Sequence, residues 1–244
     1  GLLAMSMAVA AAGAMVIVNT VVYVQGHLQL VEEWTAILLM AFGFGSMAAA
    51  ISLPRIFTEL DDRTVSLAAG VSIAAALALG AFMPEFWSWA LLWAIIGACY
   101  ATVLVSAGRL LQRSATKKDR PAYFAAQFAL SHGCFLLTYP LAGWLGGTFG
   151  LPVAFAALSL LVILSVVAAV RVWPITEQTD IEHEHEAIHH THLHVHDAHH
   201  QHEHEGWEGP EPHSHLHSHP KMRHSHAFHI DLHHPNWPSD GAGS

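Results

Sequence analysis

The sequence predicts an all-α, polytopic membrane bundle of six transmembrane helices over residues 1–173, followed by a disordered His-rich tail over residues 174–244. Three observations predict it. Of the 244 residues, 53% are hydrophobic and 12% charged, about half the charged share of an ordinary soluble domain. Charge is split along the chain: residues 1–173 carry eight Lys/Arg and seven Asp/Glu, whereas residues 174–244 carry two and twelve. Twenty of the twenty-two His fall between His183 and His234. The two Cys, Cys99 and Cys134, lie inside apolar segments, which argues against a secreted disulfide framework. A chain that opens at Gly1, inside an apolar run and without an initiator Met, reads as part of a longer product.

Six stretches are long enough to cross about 30 Å of hydrocarbon, which takes roughly 20 helical residues each. They are Leu2 to Val24, Trp34 to Leu53, Val65 to Met83, Phe86 to Ala107, Ala122 to Leu145 and Pro152 to Val172. The first has no basic n-region and is too long for a signal-peptide core, so it reads as a true span. In lipid each backbone N–H and C=O has to be paired within its own segment, so runs of this length become helices rather than open sheet.

The connections set the orientation, because Lys and Arg are retained on the cytoplasmic side. Gln25 to Glu33, Pro84 with Glu85, and Gly146 to Leu151 hold no Lys or Arg. Pro54 to Thr64 holds Arg55 and Arg63, and the fourth connection holds Arg109, Arg113, Lys117, Lys118 and Arg120. This strict alternation places both ends of the chain, and with them the tail, in the cytoplasm. Small residues recur inside the spans, as in Ala10 to Ala14, Gly43 with Gly45, and Gly143 with Gly147; generic close packing of helices accounts for them. Pro140 removes a helical hydrogen bond near the end of the fifth span and is expected to kink it.

No Asp, Glu, Lys or Arg stands at the centre of any span, so the path chemistry falls to uncharged polar groups. The fifth span is the most polar. Gln127, Ser131 and Cys134 follow one another at i, i+4 and i+7, on one helical face. His132 and Cys134 would serve a soft-to-borderline metal relay only with partners from other helices, since a two-residue offset turns them to different faces. A hydrogen bond to a neighbouring helix is the plainer role for such a His. Asn19, Gln127, Ser131, His132 and Cys134 are therefore the candidate path residues, because polar groups inside a bilayer are functional-site candidates by default.

The tail reads EHEHEAIHHTHLHVHDAHHQHEHE, then HSHLHSH, then HSHAFHIDLHH. Its hydrophobic content is low and no apolar period persists, which predicts disorder without ligand. The candidate metal ligands are His183, His185, His189, His190, His192, His194, His196, His199, His200, His202, His204, His213, His215, His217, His219, His224, His226, His229, His233 and His234. Neutral imidazole suits Zn, Ni, Co and Cu(II), while the lack of Cys and the single Met222 disfavour Cu(I). At four to six ligands per ion, twenty imidazoles hold on the order of three to five ions. A pH-sensing tail is the competing reading, since many imidazoles of similar pKa change charge together.

The segment RLLQRSATKKDRPAYFAAQFALSHGCFLLTYPLAGWLGG, Arg109 to Gly147, resembles the matching part of the C-terminal half of a major facilitator superfamily permease. The loop PRIFTELDDR, Pro54 to Arg63, resembles the one that joins the second and third helices of that half. A His-rich cytoplasmic C-terminus is similar to that of the nickel-resistance type. The resemblance implies helices seven to twelve of a twelve-span protein whose substrate path runs between two halves. The missing N-terminal six-helix half is then a partner, along with the lipid bilayer and divalent metal ions.

On this reading the expected function is secondary active efflux of a divalent cation, Ni, Co or Zn, from the bacterial inner membrane, driven by a proton gradient. The tail gathers the ion at the cytoplasmic mouth by tethering, and no resident cofactor is required. Three alternatives stay open: a membrane-anchored metal buffer or sensor, a permease for an organic solute or drug, and a cation diffusion facilitator. The last is weakened because the spans hold no H-x-x-x-D pair. Enzymatic activity has no phosphate loop or nucleophile arrangement behind it. Nucleic acid would be repelled by the acidic tail.

Overall fold

The computed structural model describes residues 1–56, 61–82, 85–116 and 118–173, and, as backbone alone, 180–185, 188–194, 213–219 and 222–227. It divides into two units, Gly1–Ile175 and Thr176–Ser244. Among its described residues the first unit consists of helices and short connections. Its helices are α1 (Leu2–Val21, continued by a π-helical turn Val22–His27), α2 (Glu32–Ile56), α3 (Asp62–Gly80), α4 (Phe86–Ser114), α5 (Arg120–Phe149) and α6 (Leu151–Val172). Five of them are long and apolar enough to cross a membrane. The 30 residues of α5 also exceed the roughly 20 needed, but Gln127, Ser131, His132 and Thr138 lower its apolar content. The chain is a multi-pass membrane protein.

The six spans are where the apolar runs place them, but several ends differ. α4 continues through Arg109 to Ser114, and α5 begins at Arg120, because helical hydrogen bonding persists past the hydrocarbon boundary where polar residues face water. α3 stops at Gly80, short of Met83. Its start is set by Asp61, whose carboxylate accepts the Thr64 backbone N–H at 2.9 Å, an N-cap that satisfies one of the helix's unpaired donors. Between α5 and α6 the chain turns at Gly150, whose φ of 88° lies in the region that favours glycine. Pro140 is accommodated inside α5.

Packing repeats itself within the unit. α1 packs on α5 and α6, α4 packs on α2 and α3, and α3 packs on α6. Exchanging α1, α2, α3 for α4, α5, α6 returns the same set of pairs. Three helices per repeat make the second triplet start on the opposite side of the bilayer from the first, the inverted repeat on which many secondary transporters are built.

α1 is the most enclosed of the spans. Ala10, Ala11, Ala12 and Ala14 are fully buried, and their small side chains let α5 and α6 approach closely, which is how apolar helices gain contact where no hydrophobic effect drives them together. The α2–α4 crossing is tighter. Ser46 Oγ donates to Gly97 O at 2.9 Å, and a Cβ on Gly45 would sit 1.9 Å from Ala94 O. Gly43 and Gly147 have nothing within 4 Å of such a Cβ, so only one member of each glycine pair lies in a helix contact.

Among the described residues the second unit has four short extended segments. Asp180–His185 pairs antiparallel with Met222–Ala227, and Ile188–His194 with His213–His219. Alternating stretches such as HTHLH and HSHLHSH are compatible with a strand's two-residue period.

Candidate functional site

The residues singled out from the sequence lie in two places, the tail and the middle of the bundle. In the tail, His183, His185, His189, His190, His192, His194, His213, His215, His217, His219, His224 and His226 lie on the extended segments, described as backbone alone. His196, His199, His200, His202, His204, His229, His233 and His234 lie outside the described residues.

In the bundle, the polar face of α5 turns mostly toward α1. Gln127 Nε2 donates to Ser6 Oγ at 2.8 Å, and Thr138 Oγ1 donates to Ala10 O at 3.1 Å. Cys134 is buried between them along the helix. Ser131 is half-buried and donates to Phe128 O at 2.8 Å. Asn19 is fully buried, with Nδ2 donating to Ala142 O at 3.2 Å and touching Met15 Sδ at 3.3 Å. Among the described residues its Oδ1 has no hydrogen-bond partner, and it lies so close to Gly146 that a Cβ there would come within 2.2 Å. Next along α1, Thr20 donates to Val16 O and accepts the Trp93 indole N–H at 2.8 Å. Asn19, Gln127 and Thr138 thus form a polar seam that fastens α1 to α5.

His132 stands apart from this seam. It is exposed, with Nδ1 on Phe128 O at 2.8 Å and its ring over Phe128 at a centroid distance of 3.9 Å. Phe135 follows at 5.8 Å and Tyr139 at 5.4 Å beyond it. From the other side, α2 and α4 contribute Phe42 and Tyr100, edge to face at 5.4 Å. The rings close over α1 at Gly13, where a Cβ would meet Phe135 Cε1 at 3.2 Å and Tyr100 Cε2 at 3.5 Å. Phe42, Tyr100 and Phe135 were not among the residues expected from sequence. The available signal was an aromatic residue near the middle of three different spans.

At the end of the bundle that holds the Arg- and Lys-rich connections, Arg109 of α4 reaches Asp62 in the first turn of α3, Nη2 to Oδ1 at 2.5 Å. Arg63 Nε donates to Trp173 O at 3.3 Å, which ties the end of α6 to the start of α3. At the opposite end a cavity of about 640 Å³ is rimmed by Gly26, His27, Phe82 and Gly147. Tyr23, Trp89 and Phe155 form its floor and are almost wholly buried against one another.

An inverted pair of three-helix repeats, with uncharged polar groups at mid-depth, defines a polytopic transporter of the secondary type. The sequence matches the family model of the Major Facilitator Superfamily over residues 3–218, and the chain belongs to that superfamily. Its members are membrane transporters rather than enzymes. No curated protein matches the sequence.

Proposed function

We propose that the protein is a secondary active exporter of a divalent metal cation, Ni, Co or Zn, resembling the nickel-resistance type of permease. The observation that carries this reading is the tail, with twenty imidazoles interleaved with carboxylates and no Cys, a donor set suited to borderline divalent ions. In the proposed arrangement the bundle forms the C-terminal half of the permease in a bacterial inner membrane. It works against a second six-helix half, and both ends of this chain face the cytoplasm. The tail then gathers cargo at the cytoplasmic mouth, and the proton gradient drives export. Among the candidate path residues, we place His132 against the cargo. Asn19 and Gln127 join the α1–α5 seam, Cys134 is buried, and Ser131 bonds within its own helix.

The test is metal efflux from cells carrying the full-length gene, with and without residues 183–234. Export that weakens at low metal concentration when the tail is removed supports the reading, because tethering matters most when cargo is scarce. Unchanged metal tolerance and accumulation in both strains would refute it. A permease for an organic solute is the second reading, favoured by the rings gathered around Gly13.

A further inference from the structure

The cavity of about 640 Å³ takes its walls from the π-helical turn after α1, the end of α3, the first turns of α4 and the α5–α6 connection. The π-helical turn, α3 and α5 all finish at this end of the bundle. The last carbonyls of a helix have no donor within it and carry partial negative charge. Gly26, Gly80, Gly146 and Gly147 line the space, so at these positions backbone rather than side chain forms the wall. Behind Gly146 lies Asn19 Oδ1, fully buried and, among the described residues, without a hydrogen-bond partner. Formal charge points the same way. Among the described residues this end carries Glu32, Glu33 and Glu85 and no Lys or Arg. Glu85 stands one turn ahead of Trp89 in the cavity floor, and its carbonyl accepts the Trp89 backbone N–H at 3.1 Å. His27, exposed on the rim, is the one lining residue able to gain positive charge. The lining therefore accepts hydrogen bonds and favours a cation that donates them.

Depth narrows the choice of cation. The cavity opens where the helices end, level with the polar boundary of the bilayer rather than with its hydrocarbon. Beside it Leu79, Phe82 and Val153 are exposed, an apolar flank suited to acyl chains. A quaternary ammonium has no N–H to give to the carbonyls, whereas a primary ammonium has three. A purely anionic headgroup would meet carboxylates and carbonyl oxygens alone. Among the described residues no three His, Cys, Asp or Glu gather to hold a metal ion. We propose that this cavity binds the primary-ammonium headgroup of a zwitterionic phospholipid from the leaflet at the non-basic end of the bundle. The ammonium enters among the glycine-lined helix ends, the phosphate stays at the rim in water, and the acyl chains lie along the flank of α3 and α6. The assignment is independent of which cargo the permease moves.

The probes are phosphatidylethanolamine, phosphatidylcholine and phosphatidylglycerol of identical acyl chains, titrated into the purified full chain in detergent, with the bound lipids counted by native mass spectrometry. Phosphatidylethanolamine is expected to bind about tenfold more tightly than either of the others, the equivalent of one charge-assisted hydrogen bond. Glycerophosphoethanolamine, the same headgroup without chains, competes for the site at higher concentration. Gly147 and Gly26 have open space where a Cβ would stand, so Gly147→Leu and Gly26→Leu fill the cavity without a backbone clash and bring phosphatidylethanolamine down to the affinity of phosphatidylcholine. Gly43→Leu, also in open space but on α2, leaves the preference intact. Glu85→Gln weakens the preference without abolishing it. Helical circular dichroism establishes that each variant is folded. Equal binding of the three lipids, tighter binding of phosphatidylglycerol, or parental selectivity in folded Gly147→Leu and Gly26→Leu overturns the proposal. None of these readouts involves metal efflux, so failure here and failure of the export reading are told apart.

Discussion

Gly97 sits where α4 crosses α2, and replacing it with Ala is expected to part the two helices. A Cβ at this position would lie 2.0 Å from Phe42 O and 2.9 Å from the Phe42 carbonyl carbon. Ordinary contact begins near 3.4 Å, so the backbones have to separate by about 1.4 Å along that line, and neither can give as a flexible side chain would. Overpacking of this kind costs roughly 1–3 kcal/mol. Separation also stretches the Ser46 Oγ to Gly97 O bond from 2.9 Å, and such interhelical bonds in membranes average about 0.6 kcal/mol. Against this, Ala gains about 1 kcal/mol over Gly in helix propensity. The net expectation is a loss of about 0.6–2.6 kcal/mol. Gly45→Ala strains the same crossing through Ala94 O, so the double variant should lose less than the two single losses combined, since helices already parted accommodate the second methyl. Gly43→Ala, with open space around it, should be neutral or slightly stabilising. The assay is equilibrium unfolding in mixed SDS and dodecyl maltoside micelles, followed by helical circular dichroism. If Gly97→Ala proves as stable as Gly43→Ala, the close crossing of α2 and α4 is wrong.

Three further outcomes follow from the same contacts. Gly146→Ala should destabilise the bundle through collision with Asn19 Oδ1, and Asn19→Ala should relieve most of that loss in the double variant; a double variant no better than Gly146→Ala, in the same micelle titration, contradicts the placement of Asn19. Arg109→Ala removes one interaction of the largely buried Asp62 and should destabilise the bundle, by less than the roughly 3–5 kcal/mol of a fully buried pair because Arg109 is one-third exposed. The exchange of charges in Asp62→Arg with Arg109→Asp should recover part of that stability. Isothermal titration of the full chain with Ni²⁺ at pH 7.5 should saturate at about three to five ions. The stoichiometry should fall steeply as pH drops through roughly 6.5, because imidazole must be neutral to ligate; saturation unchanged at pH 5 would exclude the His as ligands.

Helix number and approximate extent are legible because hydrocarbon imposes a length on every segment and leaves few choices of backbone structure. The ends are less so. Arg109 and Arg113 read as a loop by charge, but a helix emerging into water keeps its hydrogen bonds and carries such residues without penalty. The polar stripe of α5 is visible in the spacing of Gln127, Ser131 and Cys134. What it does depends on which helix lies opposite, and a single chain of letters does not state that Ser6 and Ala10 are the partners. The same holds for the rings. Phe42, Tyr100 and Phe135 are separated by dozens of residues, and only the crossing of α1 by α4 and α5 at Gly13 makes them neighbours. His132 is legible as a lone imidazole inside a span, whereas its exposure follows from α5 presenting its other side to α1.

The placement of α1 has a consequence for biogenesis. Its principal neighbours, α5 and α6, leave the ribosome after α2, α3 and α4, so α1 waits in lipid until more than a hundred residues have been inserted behind it. During that interval the Asn19 amide lacks its Ala142 acceptor and Ser6 lacks its Gln127 donor. Premature termination ahead of α5 would make that exposure permanent, presenting quality-control proteases with an amide in hydrocarbon.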